Sequence, residues 1–243
     1  MLKNLHGRQI ARLIAIIFAL ISLIKISLNA DECCGKVEVS AIYAHVDFLE
    51  SNKTIHRMDV PGFKADLNWK VWSGFVLKPT FLYGHGNHKN EIMQAGAGIG
   101  FCWPVCSQLY ITPIAGFNWA RLKTTLDIDN PFIPSTKLKL TEKFRSYSPY
   151  IAIEVSYTLC TCFRVVGNVQ YSWSKTKTTL NPAIDPDFKE NSHSEGFTYS
   201  GMAEYDLNDH WSINVGGAYN VSLTKEKHGL RIWGGKLGLA YWF

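Results

Sequence analysis

The sequence predicts an all-β chain folded as a single antiparallel barrel of about ten strands that crosses a membrane, with both termini on the periplasmic side. Three observations predict this. Hydrophobicity alternates with a period of two along most of the chain. The connections between the alternating segments are short and long in turn. Aromatic residues on the apolar face gather at segment ends.

The N-terminal stretch stands apart. Lys3, Arg8 and Arg12 precede an apolar run from Leu13 to Ile24, followed by Lys25 and the polar Ser27-Leu28-Asn29-Ala30. A run of roughly 7–15 apolar residues with such flanks is a removable export signal, whereas a spanning helix needs about 20. Residues 1–30 are therefore expected to be a Sec signal peptide, 31–35 a periplasmic segment and 36–243 the barrel domain. The chain carries 25 Lys and Arg against 20 Asp and Glu. Four of the cations lie in residues 1–30 and none of the acids does, so the exported chain is nearly neutral. That charge gives no footprint for nucleic acid.

Ten segments alternate, at about 36–48, 61–72, 74–85, 91–103, 109–122, 146–158, 163–175, 196–206, 210–223 and 231–243. In the second, Phe63, Ala65, Leu67, Trp69 and Val71 share one face and Lys64, Asp66, Asn68 and Lys70 the other. The ninth sets Trp211, Ile213, Val215, Gly217, Tyr219 and Val221 against Ser212, Asn214, Gly216, Ala218, Asn220 and Ser222. The links after even-numbered segments are tight. Those after odd-numbered segments are longer and polar, above all Lys123 to Arg145 and Thr176 to Glu195. Short periplasmic turns and long outer loops have this order. Pro113 is the proline least suited to its strand and is expected to mark a bulge.

On the apolar face, Trp103, Tyr157, Phe163, Tyr205, Trp211, Tyr241 and Phe243 map to an inner rim. Phe63, Tyr83, Trp119, Tyr147, Trp173, Phe197, Tyr199 and Tyr219 map to an outer rim. Two such girdles suit a barrel in lipid; a secreted sandwich would bury its aromatics at strand centres.

The other face would line a lumen. Its charged residues Lys64, Asp66, Lys70, Lys78, Glu154, Arg164, Glu204 and Lys236 form either a network of ion pairs or a charged constriction that selects solutes. The cations among them outnumber the acids, which predicts a mild anion preference. Gly96, Gly98 and Gly100 also face inward and leave room for a large neighbour or a passage. Trp119 to Leu126 echoes Trp173 to Leu180, an internal repeat that makes the fifth and seventh strands equivalent.

The chain ends Leu239-Ala240-Tyr241-Trp242-Phe243, with Leu239, Tyr241 and Phe243 on one face. This terminus resembles the signal by which outer-membrane barrels are handed to the barrel-assembly machinery. Six cysteines, Cys33, Cys34, Cys102, Cys106, Cys160 and Cys162, all map to the periplasmic rim. An even count in an exported chain suggests disulfides, within the barrel or to envelope neighbours or a second copy. A small barrel with these cysteines and a terminal Phe243 resembles the Pom-type porins of chlamydia-like bacteria. The resemblance implies diffusion of small hydrophilic solutes together with disulfide-based envelope integrity.

The function expected is thus an integral outer-membrane porin surrounded by outer-membrane lipid. The alternative is a non-conducting structural or adhesin barrel acting through its outer loops. No cofactor or metal is expected, because His85 and His88 have the spacing of a loop pair. Catalysis would need His85, His88, Asp127 and Asp129 to converge at the outer mouth, and the sequence gives no reason that they should.

Overall fold

The computed structural model describes residues 35–72, 74–87, 90–129, 137–181 and 188–243, of which 126–129, 137–140, 180–181 and 188–189 are described by backbone alone. The expected signal peptide, Cys33 and Cys34 lie outside the described residues. Eleven strands follow in order: β1 (Lys36–Glu50), β2 (Lys53–Trp72), β3 (Phe75–His85), β4 (Glu91–Phe101), β5 (Trp103–Pro104), β6 (Leu109–Asp129), β7 (Lys137–Cys160), β8 (Phe163–Asn181), β9 (Phe188–Asp206), β10 (Trp211–Leu223) and β11 (Gly229–Trp242).

Apart from β4 and β5, each strand pairs antiparallel with its sequence neighbours; β4 pairs with β6 and β1 with β11 along its length, so the sheet closes. Closure leaves no edge to hydrogen-bond elsewhere, the condition for a sheet in lipid. The seam ends with Gly35 and Phe243 exchanging backbone hydrogen bonds of 2.8 and 2.9 Å. Ten strands make the wall, because β4 and β5 are one strand interrupted at Cys102. Both pair with β6 in a single register, Gly100 with Ile114 and Trp103 with Ile111. Pro113 stands opposite the break and has no N–H to donate. The Cys102 amide instead donates to the Gly74 carbonyl at 2.6 Å. Pro113 therefore interrupts its partner strand without the register shift of a bulge.

The strands run longer than the alternation predicts. The outer link between β1 and β2 is a two-residue turn, Ser51-Asn52, both with positive φ (47° and 65°), the geometry of a type I′ hairpin. Strand pairing of β6 with β7 continues to Asp129 and Lys137, and that of β8 with β9 to Leu180 and Phe188. The segments expected as outer loops are thus mostly hairpin. Their Thr- and Lys-rich stretches, such as Thr124-Thr125 and Lys175 to Thr179, place polar residues on both faces, so the apolar–polar contrast that marks the membrane strands is lost there. The backbone ladder needs no such pattern to continue.

The molecule is inside out. Ile99, Ile151, Ile153, Val169, Val215 and Leu237 are exposed on the outer wall, while Glu38, Ser40, Thr112, Glu204, Ser212 and Asn214 are buried. A soluble protein does not expose so continuous an apolar surface. Aromatics on the outer wall bracket it, with Trp103, Tyr157, Tyr205 and Trp211 exposed near one rim and Tyr147, Trp173, Phe197, Tyr199 and Tyr219 near the other.

Candidate functional site: the lumen

The pleat of a strand sends alternate side chains inward, and the lumen falls into two zones. The periplasmic zone is ionic. Lys78 on β3 reaches Glu154 on β7 at 2.5 Å. Lys64 pairs with Asp66 at 2.8 Å, and Asp66 also accepts from the Thr80 hydroxyl at 2.7 Å. Lys236 pairs with Glu38, which accepts from Ser40 at 2.7 Å. Glu204 is 1% exposed and accepts from Lys36 at 3.1 Å and from Ser212 at 2.6 Å, with Arg164 at 3.9 Å. Lys70 follows Asp66 on the same face of β2.

Sequence reasoning missed Lys36, Glu38 and Asp206, which belong to this network; Asp206 lies 3.7 Å from Arg164. The signal was available, since Lys36, Glu38 and Ser40 alternate with Val37, Val39 and Ala41. Trp242 was missed too. Its ring lies under Lys36 and Arg164, 5.1 and 4.6 Å from its centroid, and its indole N–H donates to Ser212 at 3.0 Å. The penultimate residue therefore caps the ionic zone from within, while Leu239, Tyr241 and Phe243 occupy the other parity. With the missed residues added, six cations face five acids, so most of the predicted cationic excess is gone.

The glycines of β4 are covered. A Cβ on Gly98 would lie 2.5 Å from the Tyr150 hydroxyl, and one on Gly96 would lie 2.0 Å from the Asn118 side chain. Tyr150 packs inside with Ile114 and Ala152. Of the two uses foreseen for this space, a large neighbour occupies it.

The outer zone is apolar on one side and polar on the other. Val46, Phe48, Met58, Val60, Ile92 and Leu122 form a buried cluster, joined by Leu82, Phe144, Leu230 and Ile232. These inward-facing side chains were not anticipated. Seven consecutive wall strands contribute them, from β11 through β1 to β7. The rest of the wall carries hydroxyls and amides. Ser148 and Ser174 are 2.7 Å apart, Thr176 donates to Ser146 at 3.3 Å, Ser222 donates to Ser194 at 3.0 Å, and Asn220 donates to Thr198 at 2.8 Å. All eight are half-buried. A polar lane thus runs beside an apolar cluster.

The four described cysteines are free thiols at the periplasmic turns. The sulfurs of Cys160 and Cys162 lie 3.6 Å apart on an exposed turn. Of the residues considered for catalysis, His85 is exposed at the end of β3, while His88 and the side chains of Asp127 and Asp129 lie outside the described residues. On the outer wall His45 contacts Asp59 and stacks on Trp233 with ring centroids 4.0 Å apart.

The fold is shared with solved outer-membrane proteins. The outer membrane protease OmpT of Escherichia coli superposes with a TM-score of 0.62 at 14% identity, covering 90% of this chain and 99% of that one. The translocator domain of the autotransporter NalP of Neisseria meningitidis gives 0.51 at 9% identity, covering 97% and 98%. At these identities the likeness concerns the fold alone. No curated protein matches the sequence. The family described as Protochlamydia outer membrane protein, Pom, matches residues 81–235. That match spans well over half of the chain, which is therefore an outer-membrane β-barrel protein belonging to the Pom family.

Proposed function

We propose that the barrel is a narrow porin in which small hydrophilic solutes pass along the eccentric hydroxyl lane of β7 to β10. The observation that carries this reading is the half-buried row of Ser, Thr and Asn side chains beside the apolar cluster. Hydroxyls and amides exchange hydrogen bonds with a passing solute and its water without binding either strongly. The near balance of lumen charge then gives weak ion selectivity, in place of the anion preference expected from five cations against three acids. Planar-bilayer recording of the refolded barrel tests the proposal, with discrete conductance steps as the expected result.

A second reading has its own support. The buried apolar cluster favours a lumen plugged by side chains, in a barrel that acts as a structural or adhesive element. A stably folded barrel that is electrically silent would establish that reading over the first.

We further propose that the periplasmic-rim cysteines, Cys102, Cys106, Cys160 and Cys162 with Cys33 and Cys34, link the barrel to envelope neighbours or to a second copy. The exposure of Cys106 and Cys160 supports this. Unchanged migration of envelope extracts with and without reductant, thiols being blocked first, would remove the proposal. Leu239, Tyr241 and Phe243 are proposed as the residues read by the barrel-assembly machinery.

A further inference from the structure

The internal repeat gains a meaning from the register. Trp119-Ala120-Arg121-Leu122-Lys123 on β6 and Trp173-Ser174-Lys175-Thr176-Lys177 on β8 each place an aromatic and then two cations on one face. That face is the outer wall, since Phe117 and Trp173 share it and are exposed. Between these strands β7 adds Tyr147, Arg145 and Lys143 on the same face. The pairing sets Arg121 opposite Arg145, Lys123 opposite Lys143, and Arg145 opposite Lys177.

Like charges directly opposite across a strand pair repel. Six cations on three adjacent strands need anions, and the barrel supplies few. Among the described residues no carboxylate lies within 4.0 Å of any of the six. Glu91 on β4 stands opposite Lys123 without reaching it. Glu195 on β9 is engaged by the Tyr171 hydroxyl at 2.5 Å. The next charged groups outward on this face of β6 and β7, Asp127 and Lys139, have side chains outside the described residues. The Nε of Arg121 is buried and has no hydrogen-bond partner, an independent sign of a missing acceptor.

The patch lies one pleat beyond Trp119, Tyr147 and Trp173, on the side that faces lipid. Exposed aromatics of the outer wall mark the headgroup level. We infer that this patch binds the phosphate-bearing headgroup of an outer-leaflet lipid, with Arg121, Arg145, Lys143 and Lys177 holding the anion and the aromatics seating the chains. Guanidinium groups suit phosphate because their planar forks match its oxygens. The position in the wall selects a lipid headgroup over a soluble anion.

The test is native mass spectrometry of the detergent-solubilised, refolded barrel with diphosphorylated lipid A or phosphatidylcholine as probe. The expected result is retention of lipid A about tenfold above the zwitterionic lipid, weakened by high salt. The combined variant Lys143→Gln, Arg145→Gln, Lys177→Gln should bring the two lipids level. If it does not fold, Lys177→Gln alone, at an exposed site, should lower lipid A retention about two- to threefold. Equal retention of both lipids by the parent barrel, or undiminished retention by a folded variant, would overturn the inference. Complete displacement by inorganic phosphate would overturn it in favour of a free-anion site. Dextran sulfate binding more tightly than lipid A would do so in favour of a soluble polyanion.

Discussion

Tyr150 on β7 lies across Gly98 on β4 and Gly116 on β6, so close that a Cβ on either glycine would sit 2.5 Å from the tyrosine side chain. The ring and the two bare positions are complementary parts of one packing unit, and the strand between them is spanned at no cost in side-chain volume. This predicts unequal effects of adding a methyl group. At Gly116 the backbone carbonyl of Ala97 is also 2.5 Å away and cannot yield. Gly116→Ala should therefore destabilise the folded barrel by about 2 kcal/mol. Gly98→Ala meets the hydroxyl and an Ile114 methyl at 2.8 Å, and Tyr150→Phe in the same chain should restore part of its loss. Gly167 faces outward with nothing within 4 Å, and its Ala variant should match the parent. Denaturant unfolding in detergent measures all four, and equal stability of the Gly116 and Gly167 variants would contradict the packing argument.

Glu204 is the most deeply buried acid of the ionic zone. Its burial is tolerable because Lys36, Arg164 and Ser212 all engage it. Lys36→Met should cost about 3 kcal/mol, because it leaves a buried carboxylate with only the more distant Arg164 as a cation. Glu204→Gln should cost less, since Lys36 and Arg164 keep Glu38 and Asp206 at 3.7 Å. Unfolding midpoints compare the two, and the reverse order would mean that Glu204 is solvated from the lumen.

How much of this could be read from the sequence depends on which solvent each face meets. Between the aromatic rims one face meets lipid and the other the lumen, so Phe63 and Lys64 alternate and the strand is legible. Above the outer rim polar side chains occupy both faces, as Thr124, Thr125, Lys175 and Thr176 do, so the contrast disappears and the extended hairpins look like loops. The apolar cluster was hidden for a related reason. Val46, Phe48, Met58 and Val60 are inward-facing but apolar, so a rule that assigns polar residues to the lumen passes over them. Lys36 and Glu38 carry the right pattern, alternating with Val37 and Val39, and are legible as lumen residues in the sequence itself.

The rim thiols should differ in reactivity. The backbone N–H of Cys162 and then its thiol stabilise the thiolate of Cys160 and lower its pKa, while Cys160 raises that of Cys162. A lowered pKa means more thiolate at a given pH and faster alkylation. Cys160 should therefore react with iodoacetamide before Cys162, and its rate should begin to climb at lower pH. Peptide mapping after brief labelling across a pH series measures both rates. Identical profiles would show that the two sulfurs do not interact in solution.

The lane and the apolar cluster make opposite predictions for conductance. Ser174 sits at the centre of the hydroxyl row, 2.7 Å from Ser148, so Ser174→Phe should obstruct a solute path there and cut single-channel conductance to roughly half or less. Phe48 lies in the cluster, against Phe144 with ring centroids 5.7 Å apart. Phe48→Ala should cost about 3 kcal/mol of stability, and the cavity it leaves lies beside the path, so conductance should hold or rise. Were the cluster instead the gate, Ser174→Phe would leave the conductance unchanged and Phe48→Ala would open a silent barrel. The two variants, recorded in the same bilayer, therefore assign the path to one side of the lumen, because each reading requires the opposite variant to matter.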